Sequence, residues 1–141
     1  MISIVSFQAA HLAAIKLQDA QAYLSEWVTH EEAVALENHA SFTAVSAGEV
    51  LGCGGAIPVW EGRSIAWSYL ANIGPKNFLQ IHHAVANFLN SLTVKRIEIT
   101  VDCDVLAAHR WARLLGFKLE AERMEAYTPD GRPCALYARV A

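Results

Sequence analysis

The sequence has little charge and no cluster of either sign. Of its 141 residues, 18% are Asp, Glu, Lys or Arg, and the net charge is −3 with both signs mixed along the chain. Nucleic acid calls for a basic cluster, so we expect no nucleic-acid partner. No stretch reaches the roughly 18 apolar residues that span a bilayer, so we expect no membrane segment. The hydrophobic fraction of 54% instead predicts one compact domain over residues 1–141.

Cysteine is also scarce, and its spacing excludes the usual disulfide and zinc patterns. The three cysteines, Cys53, Cys103 and Cys134, are far apart, odd in number and include no CxxC pair. The first residues lack the basic start and unbroken apolar core of a secretory signal. Together these features favour a cytoplasmic location with free thiols. The six histidines include no HExxH spacing, so we expect no metal site.

Hydrophobic periodicity predicts a mixed α/β (α+β) domain in which helices cover a mixed sheet. The element order is β-α-α-β-β-β-α-β-α-β-β. Strands are predicted at 2–7, 41–46, 50–60, 64–71, 95–102, 117–127 and 135–140. Helices are predicted at 8–24, 29–38, 76–92 and 104–115. Thr29 and Glu32 have the spacing of a capping box, Asp104 is a candidate N-cap, and Gly116 follows the last helix where a left-handed residue is typical.

A Gly-Pro turn joins the fourth predicted strand to the third helix, within the stretch AWSYLANIGPKNFLQIHHAV (66–85). A strand that feeds directly into a helix leaves free main-chain N–H groups, which can hold an anion. Pro75 has no N–H, but at the first helical position that donor is unpaired in any case. The N–H groups of Lys76, Asn77 and Phe78 are expected to face the anion, assisted by the Lys76 ammonium. The turn is therefore a candidate phosphate-binding site.

The element order, together with the segment AHRWARLLGFKLEAERMEAY (108–127), resembles the GNAT (GCN5-related N-acetyltransferase) family. In that family a helix, a Gly-Phe pair and a strand ending in an aromatic residue form the C-terminal third. The matching residues are Leu114, Leu115, Gly116, Phe117 and Tyr127. The resemblance implies the GNAT-like acyl-CoA N-acyltransferase fold. It also implies acetyl transfer from acetyl-CoA to a primary amine on a small molecule or a protein.

A narrower resemblance is to the small GNAT-like proteins of tailed phages and prophages, of the internal virion protein type. The motifs that carry it are Gly-Cys-Gly-Gly at 52–55, Ala-Trp-Ser-Tyr at 66–69 and His-Arg-Trp at 109–111. This resemblance implies an alternative function. The chain would be catalytically inactive, would act through contacts with other phage proteins, and would be virion-associated rather than cytoplasmic. The sequence leaves open whether the chain forms a homodimer.

The resemblance also places a cofactor site, although the loop departs from the family pattern. GNAT enzymes usually carry Gln/Arg-x-x-Gly-x-Gly/Ala between the fourth strand and the next helix, whereas the stretch here, NIGPKN (72–77), has one glycine. The cofactor is expected between the splayed fourth and fifth strands, with an N–H near Leu70 or Ala71 bonded to the thioester oxygen. The implied cofactor-binding residues are Leu70, Ala71, Asn72, Gly74, Lys76, Asn77 and Phe78.

The catalytic residues that the family usually carries are missing. The tyrosine expected four residues before Gly116 is Ala112, and the fourth strand has no carboxylate. The remaining candidates are Glu98, Tyr69 and Ser68. Glu98 is either a general base or a solvent-facing strand residue. Tyr69 is either a proton donor or a packing residue, and Ser68 lies near the expected thioester position.

Overall fold

The structure, a computed structural model, describes all residues from Met1 to Ala141. Its elements are β1 (Ser3–Ser6), α1 (Ala9–Ala14), a 3₁₀ helix (Asp19–Glu26), α2 (His30–Glu37), β2 (Ser41–Ser46), β3 (Glu49–Trp60), β4 (Arg63–Leu70), α3 (Pro75–Ser91), β5 (Arg96–Asp102), α4 (Leu106–Leu114), β6 (Lys118–Met124) and β7 (Cys134–Val140). The seven strands form one mixed sheet in the order β1-β2-β3-β4-β5-β7-β6. The predicted α/β fold is confirmed. No helix has the length and apolar character needed to cross a membrane.

The chain divides into two compact units. The N-terminal unit comprises Met1–Ile57 and Trp67–Leu92, and the C-terminal unit comprises Pro58–Ala66 and Thr93–Ala141. The expectation of one domain over 1–141 stays a prediction. Cys53 is buried in the N-terminal unit and Cys134 in the C-terminal unit, while Cys103 is partly exposed, and all three are free.

In the N-terminal unit, β1 and β3 flank β2 in antiparallel pairs. The β2–β3 turn has positive φ at Ala47 and Gly48, as tight hairpin turns require. Gly55 allows an unusually close approach, because a Cβ there would lie 2.3 Å from the carbonyl oxygen of Ala40. Close packing against Ala40 therefore accounts for the glycine at this position of the glycine-rich stretch of β3. The buried side chains of this unit include Leu51 of β3 and Ile81 of α3.

The long helix predicted over 8–24 is wrong. After α1 the backbone becomes extended at Ile15, and Leu17 forms an isolated antiparallel bridge with Ala71. The N–H of Gln18 then donates to the carbonyl of Leu70 at 2.8 Å. These tertiary bonds outweigh the helical preference of the segment, which resumes as a 3₁₀ helix. The capping box of α2 is confirmed, since Thr29 and Glu32 exchange both bonds.

In the C-terminal unit, the start of β4 runs parallel to β5 over Arg63–Ile65. β5 also pairs with β7 along its full length, and β7 pairs with β6. Tyr137 of β7 is fully buried. Gly116, which follows the C-cap residue of α4, has φ +89°, as predicted. The predicted N-cap at Asp104 is wrong: Val105 is the N-cap, and the Asp104 N–H instead donates to the Asp102 carboxylate at 2.9 Å.

Candidate functional site

The end of β4 is held by a glutamine from the 3₁₀ helix. The Gln21 amide nitrogen donates to the carbonyl oxygen of Ser68 at 3.0 Å, and its amide oxygen accepts from the N–H of Leu70 at 2.8 Å. A carboxamide with one donor and one acceptor therefore binds β4 as a peptide unit of a neighbouring strand would. The main-chain groups of Ser68 and Leu70 thus form a site for an amide, and Gln21 fills it.

The two N–H groups expected to bind the thioester oxygen are both engaged. Leu70 donates to Gln21, and Ala71 donates to the carbonyl of Leu51 in β3 at 2.9 Å. The Ala71 bond belongs to the sheet and is costly to break, because its partners would be left unpaired in a buried region. The Leu70 bond is to a side chain, which rotates away more readily. Of the two, the Leu70 N–H is the one a ligand can reach.

The N-terminus of α3 is open. Gly74 is the N-cap, Pro75 is the first helical residue, and no side chain caps the helix. The first main-chain bond of the helix runs from the Phe78 N–H to the Gly74 carbonyl at 3.0 Å. The N–H groups of Lys76 and Asn77 come before that bond and have no main-chain acceptor. The positive end of the helix dipole and the exposed Lys76 ammonium favour an anion at this point.

Two details of the expected anion site change. Phe78 was expected to offer its N–H, but that N–H closes the first turn of α3. The site therefore has two adjacent donors, those of Lys76 and Asn77, instead of three. Gly74 has extended backbone (φ −76°), and a Cβ there would meet nothing within 4 Å. Gly74 leaves space in front of the two donors, and Asn72 is exposed beside it.

Tyr69 and Ser68 lie next to the amide site. The Tyr69 ring contacts the Trp67 ring with centroids 5.6 Å apart. Burial, reinforced by the charge of Glu32, raises the pKa of Tyr69 above its usual value of 10. The phenol therefore keeps its proton at neutral pH, although the raised pKa makes it a weaker acid. Ser68 contributes its carbonyl to the amide site, and no hydrogen bond activates its hydroxyl as a nucleophile.

A cavity of about 360 Å³ lies beside Tyr69 within the N-terminal unit. Its walls come from α1, the 3₁₀ helix and the segment leading into α2. The lining is mainly aliphatic and includes no Asp, Glu, Lys or Arg side chain. Such a cavity accommodates an apolar group, with the Tyr69 ring forming part of its wall.

Glu98 belongs to an ion-pair network in the C-terminal unit. Arg63 forms two hydrogen bonds with its carboxylate, at 2.6 and 2.9 Å, and Arg96 forms another at 2.6 Å. Glu120 pairs with Arg96 from its other side. The Arg63 hydrogen bond, with that of Arg96, outweighs burial and lowers the pKa of Glu98 from 4.5 to about 2. A carboxylate held in this way is a poor proton acceptor, and its contacts favour a structural role over that of a general base.

The alternative prediction, a solvent-facing Glu98, is wrong as well, because only 7% of the residue is exposed. The alternation along β5 placed it opposite Ile97 and Ile99. That face is covered by the two arginine side chains, whose alkyl stems and guanidinium groups shield the carboxylate from water.

On α4, a packing residue occupies the position at which GNAT enzymes often carry a tyrosine. Ala112, which stands where the tyrosine is expected, is 2% exposed. His109 on the same helix is fully engaged: one ring nitrogen bonds the Tyr137 hydroxyl at 2.7 Å and the other bonds the Cys103 carbonyl at 3.1 Å. Because a carbonyl only accepts, Nε2 of the neutral ring carries the proton. Neither residue is available as an acid or base, and Tyr69 stays a candidate proton donor at the end of β4.

Gln21 is the residue that the sequence did not point to. It lies inside the segment predicted as a long helix, where a polar residue is typical of an exposed face. Its role depends on the break at Ile15 and on the Leu17–Ala71 bridge, both of which arise from tertiary contacts. No local pattern in the sequence marks it.

The fold is that of the GNAT acetyltransferases. An acetyltransferase of the GNAT family from Streptococcus pneumoniae is 16% identical, with a TM-score of 0.69 over 100% of both chains. Ard1 from Thermoplasma volcanium is 16% identical, with a TM-score of 0.76 over 99% of this chain and 97% of that one. The protein yncA from Salmonella typhimurium, solved with its cofactor acetyl-CoA, is 11% identical, with a TM-score of 0.72 over 99% and 93%. At these identities the similarity concerns the fold. No family model and no curated protein matches the sequence.

Proposed function

We propose that this protein is an acetyl-CoA-dependent N-acetyltransferase that acts on a primary amine. The observation that carries the proposal is the open N-terminus of α3 directly after the amide site on β4. Lys76 and Asn77 offer two N–H groups to an anion, and Ser68 and Leu70 offer a carbonyl and an N–H to an amide. Acetyl-CoA contains both groups, a pyrophosphate and an amide-bearing arm ending in a thioester.

The residues present fit this cofactor. The Gln21 carboxamide serves as a stand-in for a ligand amide, because it makes both hydrogen bonds that the Ser68 and Leu70 main chain offers. The space in front of Gly74 leaves room for a phosphate to approach the helix end. The likeness in fold to yncA, which was solved with acetyl-CoA, supports the same assignment.

Acetyl transfer requires the protein to position the amine against the thioester and to supply one proton. When bound, acetyl-CoA supplies a thioester whose carbonyl carbon an amine nitrogen attacks, so that a C–N bond forms and the C–S bond breaks. The Leu70 N–H, once released by Gln21, donates to the amide oxygen of the cofactor arm and so positions the thioester at the end of β4. The Tyr69 hydroxyl donates a proton to the departing sulfur and later recovers one from water. The amine loses its proton to water, because no carboxylate lies on β4.

Calorimetry with CoA tests cofactor binding. Gly74→Ala places a methyl group in open space and should bind nearly as the wild type does. Gly74→Phe fills that space and should weaken binding by about tenfold or more, since it blocks close approach to the helix end. Lys76→Ala should weaken binding and reduce its salt dependence. Lys118→Ala, on β6, is the control for charge alone. Equal affinity for all four variants would overturn the proposed anion site.

Release of free CoA from acetyl-CoA in the presence of a panel of primary amines tests catalysis. We expect amine-dependent release that is lost with acetylated amines. Binding of acetyl-CoA without transfer to any amine of the panel would contradict the proposed reaction while leaving the cofactor site intact.

A second candidate is a protein that has kept the fold and lost catalysis, as the resemblance to the phage proteins would imply. The observation in its favour is that Gln21 fills the amide site, together with Ala112 at the family's tyrosine position. Absence of CoA binding by the wild type and by Gln21→Ala alike would favour this candidate. Binding by either would support the cofactor site, and the transfer assay would then decide between the two candidates.

A further inference from the structure

Small side chains form part of the wall of the cavity beside Tyr69. Four alanines, Ala9, Ala13, Ala22 and Ala33, line it. Ala9 and Ala33 are buried, whereas Ala13 and Ala22 are exposed and lie at its rim. At about 30 Å³ for each water-sized group, a volume of about 360 Å³ takes on the order of ten non-hydrogen atoms. Larger residues at any of these positions would fill the space.

The lining also limits what chemistry is accepted. Two of its polar side chains are already used within the protein: the Thr29 hydroxyl accepts from the Glu32 N–H, and the Ser25 hydroxyl donates to the Ala22 carbonyl. No charged side chain of the Asp, Glu, Lys or Arg type lines the cavity. His30 and the Tyr69 hydroxyl are the other polar side-chain groups of the lining, so a polyamine or a sugar would find few partners, whereas an apolar group needs none.

We infer that this cavity binds the apolar part of the acceptor, an aliphatic or aryl group of about ten non-hydrogen atoms carrying a primary amine. The inference rests on the proposed function for the identity of the amine, but the cavity itself is tested independently. Tyr69 lines the cavity and lies between Ser68 and Leu70 in sequence, whose main chain forms the amide site. An apolar group in the cavity therefore brings the attached amine to the end of β4. The same chemistry occurs in free arylalkylamines and in peptides with an aromatic first residue.

The inference is tested by measuring the binding of small amines calorimetrically in the absence of any cofactor. We expect 2-phenylethylamine and 3-methylbutylamine to bind, and putrescine and ethanolamine to bind about tenfold more weakly or not at all. The tripeptide Phe-Gly-Gly, compared with 2-phenylethylamine, distinguishes a peptide N-terminus from a free amine. Tighter binding of putrescine or ethanolamine than of the apolar amines would overturn the inference.

Two neighbouring alanines of α1 provide a matched pair of variants. Ala13→Leu fills the cavity and should weaken binding of 2-phenylethylamine by about tenfold or more. Ala14→Leu makes the same change at an exposed position that does not line the cavity and should bind as the wild type does. Ala22→Leu, in the 3₁₀ helix, serves as a second filled variant should Ala13→Leu fold poorly. Unchanged binding in a folded cavity-filling variant would overturn the inference.

The outcomes separate this inference from the proposed function. If the apolar amines bind and CoA does not, the cavity stands and the acetyltransferase proposal fails. If CoA binds and the apolar amines do not, the proposed function stands and the inference about the acceptor fails.

Discussion

Replacing Gln21 by alanine should weaken the folded protein and strengthen cofactor binding at the same time. The substitution removes two hydrogen bonds to β4, one to the Ser68 carbonyl and one from the Leu70 N–H. A neutral hydrogen bond contributes about 0.5–1.5 kcal/mol net. Since Gln21 is only half-buried and water can replace it, we expect the free energy of unfolding to fall by about 1–2 kcal/mol.

The same bonds must break before a ligand amide can occupy the site. Removing Gln21 therefore removes about 1–2 kcal/mol of displacement cost, and each 1.4 kcal/mol corresponds to a factor of ten in affinity. We expect Gln21→Ala to bind CoA about tenfold more tightly than the wild type. Gln18→Ala is the control, because the Gln18 side chain contacts Gln21 but neither Ser68 nor Leu70.

Calorimetry with CoA and amide hydrogen exchange at Leu70 measure the two effects. In the free protein the Leu70 N–H should be protected in the wild type and in Gln18→Ala, and should exchange faster in Gln21→Ala. Adding CoA should restore protection in Gln21→Ala. Weaker CoA binding by Gln21→Ala, with Leu70 still unprotected when CoA is bound, would show that the ligand does not use this site.

Three further predictions concern single positions. Glu98→Gln should lower the free energy of unfolding at pH 7 by about 2–3 kcal/mol, whereas the exposed Glu120→Gln should have a much smaller effect. Because the pKa of Glu98 is lowered from 4.5 to about 2, its contribution is present above pH 4.5 and lost as pH falls towards 2, so urea unfolding of the variant should show a flatter acid limb. Gly55→Ala should destabilise by about 2 kcal/mol or more, because its methyl group would lie 2.3 Å from a main-chain oxygen, whereas Gly74→Ala should leave the thermal midpoint unchanged. Tyr69→Phe should keep CoA affinity and slow acetyl transfer by about a hundredfold; equal rates would rule out Tyr69 as the proton donor.

The fold was predictable wherever local signals and tertiary contacts agree. The capping box at Thr29, the left-handed glycine at Gly116 and the proline at the start of α3 are determined by a few neighbouring residues, and all three are confirmed. The helix predicted over 8–24 is wrong because the helical preference of this segment is opposed by contacts with β4, about fifty positions away in sequence. Periodicity reports only near neighbours, so it does not register such a bond.

The candidate site was predictable in outline but not in its hydrogen bonds. The Gly-Pro turn marked the helix end, because those two residue types have strong local preferences. The partners of Leu70 and Glu98, a glutamine and two arginines, come from distant segments and leave no local pattern. Strand alternation predicted the face of Glu98 without predicting what covers that face.

The placement of the cysteines allows the unfolding of each compact unit to be followed by thiol labelling. Cys53 and Cys134 are 3% and 5% exposed, one in each compact unit, and burial raises the pKa of both thiols to about 11. Neither will react with a thiol reagent until its surroundings open, whereas the partly exposed Cys103 supplies an internal reference for reagent strength. Equal labelling rates at the two buried sulfurs across a denaturant series would mean that the halves of the chain melt as one cooperative body. Unequal rates would identify the unit that opens first, without the need to introduce a cysteine.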